Sequence, residues 1–181
     1  MTVNELLNKE NDDNTEVKNN ENDEASDGKI VQLVTFTLDD VEYGVDILSV
    51  HEILRYPEIT RLPNTPKFIK GVINLRGNVL PVVDVRNRFG FKEGVVTDLT
   101  RVIVIEAGER QIGLLVDNVS QVIRINDSNI DPPSILIEGV SEAFITGIAR
   151  LKGRLIVILS VENVVFSDEE IAEKQKISMS A

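Results

Sequence analysis

Hydrophobic and polar residues alternate in the segment IVQLVTFTL, which starts at residue 30. Val34, Phe36 and Leu38 alternate with two threonines, and this period of two is typical of a half-buried strand. Asp39-Asp40 is a turn signal, and the segment VEYGV that follows it predicts a second strand. Together the two segments predict a β-hairpin.

The next segment, DILSVHEIL, changes to a helical spacing. Val50, Ile53 and Leu54 continue the pattern begun by Ile47 at intervals of three and four residues, and such intervals place side chains on one helix face. Asp46 can cap the first turn. We therefore predict a short helix in this segment.

A loop and a second hairpin follow this segment. The stretch from residue 56 to residue 66 contains three prolines, which predicts a loop. The apolar segments GVINL and VLPVVDV then flank Arg76-Gly77-Asn78. This arrangement predicts a tight turn between two strands, in which Gly77 or Asn78 supplies a positive φ.

The chain repeats itself. At an offset of 76 residues, GVINLRGNVLPVVDVRNRF matches GIARLKGRLIVILSVENVV, and upstream, at an offset of 69, ILSVHEIL matches VDNVSQVI. Three pairs of residues coincide around the turns: Gly71 with Gly147, Arg76 with Lys152, and Gly77 with Gly153. We predict a duplicated unit of four or five strands and one short helical segment. Many short strands with no free face favour closure into two small β-barrels.

Charge separates the N-terminal segment from the rest of the chain. Residues 1–28 hold nine acids and two lysines, a net charge of −7, whereas residues 29–181 hold 21 acids and 17 bases. Segment 1–28 is too poor in apolar residues to offset the entropy of ordering it. We therefore predict a disordered acidic tail at 1–28, and a C-terminal helix at 167–181 that begins at the capping box Ser167–Glu170.

Composition excludes several kinds of protein. Cysteine is absent, no apolar run is long enough to span a bilayer, and the first residues lack a secretory signal. We expect a cytoplasmic protein without membrane insertion. The net charge of −11 disfavours nucleic acid, because phosphates require a basic surface.

The chemistry of a catalytic or cofactor site is also missing from the sequence. His51 is the only histidine, and neither glycine-rich phosphate motif is present. Asp84 and Asp117 follow predicted strands, where a turn or capping role is commoner than catalysis. We therefore predict no enzyme, no cofactor and no metal. On pattern alone, Val50 and Ile53 belong to the core and Arg76 to a solvated turn.

A longer run of motifs resembles the CheW family of chemotaxis coupling proteins. The resemblance spans roughly Ile30 to Phe166. It is carried in the first half by YGVDI, the EI of HEIL, ITRLPNTPKFIKGVINLRG and VLPVVDVR, and in the second half by RVIVIEAGERQIGLLVDNVSQVI and ITGIARLKGRLIVILSVENVV.

The resemblance implies a mainly β fold of two tandem SH3-like five-stranded barrels. It places a CheW-like domain at 29–166, with subdomain one at about 30–95 and subdomain two at about 96–166. It also implies a non-catalytic adaptor that couples methyl-accepting chemoreceptors to the regulatory domain of the histidine kinase CheA and supports array assembly. An adaptor of another chemosensory pathway, such as a pilus-type one, or a generic β-barrel interaction module stays open.

Family residues can be carried over for one surface only. Val50, Glu52, Gly71 and Arg76 match positions around the receptor-binding surface of the family. Val50 would supply an apolar contact, Gly71 would let backbones approach closely, and Arg76, paired with Glu52, would bind the helical tip of the receptor. The kinase contact is assigned only to subdomain two, without residues. The protein would be recruited from the cytoplasm to membrane receptor arrays.

Overall fold

The computed structural model describes residues 28–133 and 140–166. The predicted C-terminal helix and all but the last residue of the predicted acidic tail lie outside the described residues. The described part contains eleven strands and two short α-helices: β1 Ile30–Leu38, β2 Val41–Asp46, β3 Val50–Arg55, β4 Ile69–Leu75, β5 Asn78–Asp84, α1 Val85–Arg88, β6 Arg101–Ala107, β7 Arg110–Val116, β8 Asn118–Asn126, β9 Ile130–Asp131, β10 Ile145–Leu151, β11 Arg154–Leu159 and α2 Val161–Val165.

The strands form two sheets, which confirms the predicted mainly β fold. One sheet has five strands in the order β3-β6-β7-β5-β4, and the other has six in the order β8-β1-β2-β11-β10-β9. Neighbouring strands are antiparallel except at β5–β7 and β11–β2, which pair in parallel at equivalent positions of the two sheets.

The two sheets exchange hairpins between the two halves of the chain. The N-terminal hairpin β1–β2 lies in the six-stranded sheet with strands of the second half, whereas β6–β7 lies in the five-stranded sheet with strands of the first half. The division between the sheets therefore does not fall at the predicted subdomain boundary near residue 95. Each hairpin completes the sheet of the other unit.

Each sheet encloses a small core of its own, and the two cores match through the repeat. Residues in the core of the five-stranded sheet align with residues in the core of the six-stranded sheet. Three of the aligned pairs are 76 positions apart in the sequence, and two pairs are 69 positions apart. The matched pairs are Ile73 with Ala149, Leu80 with Ile156, Val82 with Ile158, Leu54 with Ile123, and Val102 with Leu33. The predicted duplication is therefore visible in the packing.

A third, larger core joins the two sheets. Its aromatic residues form a chain of rings in which Phe36 and Tyr43 lie 5.9 Å apart, Tyr43 and Phe89 5.6 Å, and Phe89 and Phe144 5.5 Å between centroids. All four side chains are buried, and burial of a large apolar side chain contributes roughly 1.5–3 kcal/mol. The two sheets therefore share one hydrophobic interior.

The helix predicted over DILSVHEIL is wrong. Asp46 caps only one 3-10 turn at Ile47–Ser49, and the chain then continues as strand β3. A β-bulge between Val50 and Glu52 shifts the register of this strand against β6. Because the extra residue breaks the alternation of a strand, the apolar residues Val50, Ile53 and Leu54 recur at the intervals of a helix.

Arg86 connects the two sheets near the start of α1. Its guanidinium donates to both carboxylate oxygens of Asp117 at 2.7 Å, to Asp39 in the β1–β2 turn, and to the carbonyl of Lys92 at 3.1 Å. These hydrogen bonds, first of all those to Asp117, raise the pKa of Arg86. The cation therefore stays charged and ties the first hairpin to the five-stranded sheet.

Arg88 joins the two α-helices. Its guanidinium donates to the carbonyls of Val164 at 3.0 Å and Phe166 at 2.6 Å, at the end of α2. The same group lies over the rings of Phe68 at 4.4 Å and Phe144 at 4.6 Å. A cation at a helix C-terminus satisfies carbonyls that lack a partner within the helix.

Candidate partner-binding surface

The structure brings two of the four predicted surface residues into direct contact. Arg76 donates from Nη1 to Oε1 of Glu52 at 2.7 Å and from Nη2 to Oε2 at 3.0 Å. Such a two-bond fork fixes the plane of the guanidinium as well as its position. The hydrogen bonds that Arg76 donates to Glu52 raise the pKa of Arg76.

Exposure is divided unequally between the two partners. The Glu52 side chain is 11% exposed and the Arg76 side chain 71% exposed. The carboxylate therefore belongs to the body of the protein, whereas most of the guanidinium faces solvent. This arrangement presents a cation in a fixed orientation, which a mobile surface arginine does not offer.

The Glu52–Arg76 pair also closes the five-stranded sheet. Glu52 lies on β3, an edge strand, and Arg76 lies in the turn of the hairpin β4–β5 at the other edge. Contact between the two edges requires the sheet to curl back on itself, as in the predicted barrel. The two residues therefore come together through the fold and not through their spacing in the sequence.

The turn that carries Arg76 is built by the backbone. Arg76 has a φ of 52° and Gly77 a φ of 90°, two positive values that are typical of a type I′ hairpin turn. The Oδ1 of Asn74 accepts a hydrogen bond from the Gly77 amide at 2.9 Å. Gly77 thus supplies a positive φ as predicted, and Arg76 adopts one as well.

Gly71 permits a close approach between the proline-containing loop and β4. Thr60 and Val72 exchange backbone hydrogen bonds of 2.9 and 2.8 Å. A Cβ at position 71 would lie 2.2 Å from the carbonyl oxygen of Thr60 and 2.8 Å from Cγ2 of Ile59. Gly71 therefore shapes the loop beside the surface, and its predicted part in receptor binding stays a prediction.

Val50 does not present its side chain to solvent. It is 9% exposed and belongs to the core between the sheets, together with Ile53. Val50 therefore exposes too little of its side chain to make the apolar contact that was predicted for it. Two apolar residues that the sequence reasoning missed are exposed instead: Leu48 at 89% in the turn before β3, and Val79 at 65% on β5. Val79 stands in a continuous apolar run, so its pattern does not show which face it occupies.

The other residues considered for chemistry do not assemble into a catalytic site. His51 is exposed on β3. Asp84 accepts from the Asn87 amide at 3.1 Å as the cap of α1, and Asp117 binds Arg86. Within residues 28–133 and 140–166, no three histidine, aspartate or glutamate side chains come close enough to hold a metal ion.

The sequence of this chain is similar to those of known proteins. The family model of the CheW-like domain matches residues 32–169. The chemotaxis protein CheW of Klebsiella aerogenes is 40% identical over 139 residues, which cover 76% of this chain and 83% of the relative. The chemotaxis protein CheW of Rhizobium meliloti is 36% identical over 141 residues, 78% of this chain and 91% of the relative.

A solved structure agrees with this assignment. The scaffolding protein TtCheW from Thermoanaerobacter tengcongensis superimposes with a TM-score of 0.73 at 36% identity, covering 77% of this chain and 95% of that one. Sequence and fold thus point to the same group of signalling scaffolds. The chain belongs to the CheW family of chemotaxis adaptor proteins.

Proposed function

We propose that this adaptor is non-catalytic and binds two partners, the signalling tip of a methyl-accepting chemoreceptor and the regulatory domain of the kinase CheA. The observation that carries the receptor half of the proposal is the exposed guanidinium of Arg76, held by the buried carboxylate of Glu52. A fixed, forked cation suits a polar residue on a helical hairpin, and recognition of a helix in a groove adds apolar contacts.

The four predicted residues enter the proposal with different roles. Arg76 contacts the receptor, Glu52 orients Arg76, and Gly71 lets the neighbouring loop close on β4. Val50 supports β3 from the core side and makes no contact. Leu48 and Val79 are the exposed apolar candidates for contact.

For kinase binding and for location in the cell, we propose a region and a route without naming residues. The kinase contact belongs to the second half of the chain, and we assign no residue to it. Recruitment to the membrane would occur through the receptor. No helix in the described part of the chain is long and apolar enough to cross a bilayer.

A reciprocal exchange of two basic residues tests the receptor surface. Arg76→Lys keeps the charge beside Glu52 but loses the fork, whereas Lys152→Arg changes the equivalent turn of the second unit, where Lys152 also has a positive φ. We expect Arg76→Lys to weaken binding of a receptor-tip fragment by roughly 5- to 30-fold, and Lys152→Arg to leave it unchanged. Calorimetric titration of both full-length variants measures the two affinities.

The thermal midpoint of each variant serves as the control for folding. Arg76→Lys leaves the Glu52 carboxylate beside a cation, so we expect a midpoint close to that of the original protein. Equal receptor affinity for Arg76→Lys and the original protein would refute the role of Arg76. An equal loss in both variants would show that the effect is not particular to the surface around Arg76.

A further inference from the structure

A groove at the end of β3 is lined by two arginines together with apolar and polar side chains. Its volume is about 590 Å³. It is lined by Arg55 at the end of β3, by Tyr56 directly after it, by Val96 and Thr97 from the segment before β6, and by Arg101 at the start of β6. Tyr56 and Val96 are 36% and 48% exposed. The surface thus combines positive charge with apolar area.

The two arginines lie directly opposite each other on the adjacent strands β3 and β6. Arg55 and Arg101 are register partners of β3 and β6, and like charges on directly opposed residues destabilise a strand pair. Arg101 donates to the carbonyls of Asp98 at 2.6 Å and Thr100 at 2.9 Å. No described carboxylate forms an ion pair with either arginine, although Asp98 also lines the groove.

The repeat shows that the fold does not require this like-charge pair. At an offset of 69, Arg55 corresponds to Arg124 and Arg101 to Gln32. Those two residues are register partners in the six-stranded sheet, and there a cation faces a neutral amide. The second cation is therefore particular to the five-stranded sheet, where an anionic occupant would offset the repulsion.

The part of the chain that contains both arginines is positively charged, whereas the rest of the described chain is negatively charged. Residues 55–101 hold nine bases and four acids, a net charge of +5, whereas the other described residues hold six bases and twelve acids, a net charge of −6. Residues 1–27 hold nine acids and two lysines, and their first ten residues also contain Val3, Leu6 and Leu7. An acidic segment that contains apolar residues complements a groove that contains two arginines, Tyr56 and Val96.

The N-terminal segment is long enough to reach the groove. Extended, 27 residues span about 90 Å, more than the roughly 35–40 Å expected across a domain of this size. The described chain starts at Gly28, beside Asn126 at the end of β8. Covalent attachment also keeps the segment at a high local concentration near the groove.

We propose that the groove formed by Arg55, Tyr56, Val96 and Arg101 is a docking site for the acidic N-terminal segment, residues 1–27, of the same chain. The segment places carboxylates between the opposed arginines and apolar side chains against Tyr56 and Val96. Arg55 lies three residues from Glu52 on β3, so the docked segment borders the proposed receptor surface. That consequence rests on the proposed function, whereas the docking itself does not.

A spin label tests the docking in the full-length protein. Because the chain has no cysteine, Asn8→Cys provides a single attachment point without a change of charge. We expect a nitroxide there to broaden the amide signals of Tyr56, Thr97 and Arg101 in nuclear magnetic resonance spectra at low salt. The broadening should fade at about 0.5 M NaCl, where the screening length is only about 4 Å.

The repeat supplies a matched pair of variants. Arg55→Glu and Arg124→Glu make the same change at equivalent exposed positions of β3 and β8. We expect Arg55→Glu to weaken the docking by roughly 3- to 10-fold and Arg124→Glu to leave it intact. Broadening that is absent, that centres on Arg124, or that responds equally to both variants would overturn the proposal.

A mixing experiment separates docking within one chain from contact between chains. Isotope-labelled protein without a nitroxide is mixed with unlabelled protein that carries the nitroxide. Docking within the chain predicts no broadening in this mixture. Broadening of the groove signals in the mixture would refute the intramolecular site and assign the contact to a second copy.

Discussion

At the residue scale, the proposed receptor surface depends on a polar group in a buried position. The Glu52 carboxylate is buried and accepts the hydrogen bonds that orient Arg76. The pairing was predictable only through the family resemblance, because the two residues are 24 positions apart and lie on opposite edges of a curled sheet. The burial of Val50, in contrast, agrees with the reading from pattern alone.

Tyr43 provides a test of burial through pH. Burial first, and then the negative charge of Asp39, raise the pKa of Tyr43 from 10.0 to about 12. The folded state favours the neutral phenol, so the contribution of this residue to the free energy of unfolding is fully present below pH 10. About 2–3 kcal/mol of that contribution is lost as the pH rises from about 10 to 12. We expect Tyr43→Phe to remove this part of the alkaline loss, measured by urea unfolding at several pH values.

The comparison residue is the exposed Tyr56. Tyr56→Phe should retain the alkaline loss. Tyr43→Phe should cost little near neutral pH, because its hydroxyl has no hydrogen-bond partner among the described residues and an unsatisfied buried hydroxyl adds no stability. An unchanged alkaline slope in Tyr43→Phe would contradict the assigned cause.

At the element scale, the turn was predictable and the strand before it was not. Arg76-Gly77 combines a glycine with flanking apolar runs, which specifies a hairpin by local chemistry alone. β3 mimics a helix because its bulge spaces Val50, Ile53 and Leu54 at helical intervals. A bulge depends on the partner strand β6, so it leaves no local signal in the sequence.

The bulge at Gly71 gives a prediction for the hairpin β4–β5. A Cβ at this position meets the backbone of Thr60, which cannot move without breaking the Thr60–Val72 hydrogen bonds. We expect Gly71→Ala to lower the free energy of unfolding by about 2–4 kcal/mol, measured by chemical denaturation.

Gly77→Ala is the matched control in the same hairpin. Gly77 also has a positive φ, but a Cβ there meets no atom within 4 Å. We expect a loss of about 1–2 kcal/mol from backbone strain alone. Equal losses in the two variants would show that steric contact with Thr60 contributes nothing.

At the scale of the whole molecule, the duplication was visible in the sequence but the exchange of hairpins was not. Offsets of 76 and 69 residues align the cores of the two sheets, yet they do not reveal which strands pair. Each exchanged hairpin pairs with the other half of the chain along both of its strands, β1 with β8 and β2 with β11, and β6 with β3 and β7 with β5. These contacts join residues far apart in the chain. The predicted division near residue 95 therefore separates each hairpin from its sheet.

The exchange predicts that the two halves of the chain cannot fold alone. Fragment 28–95 lacks β6 and β7, and fragment 96–166 lacks β1 and β2. We expect each fragment to lack dispersed amide signals in nuclear magnetic resonance spectra, and an equimolar mixture to recover the pattern of the intact protein. A native-like spectrum from either fragment alone would contradict the shared core.

The central claim is that this member of the CheW family joins a receptor to a kinase. The most direct measurement titrates the full-length protein with a receptor-tip fragment, with the regulatory domain of CheA, and with both together, while sedimentation reports the size of each complex. We predict a ternary complex in which both partners are bound at once. Binding to neither partner, or binding in which each partner displaces the other, would contradict the account.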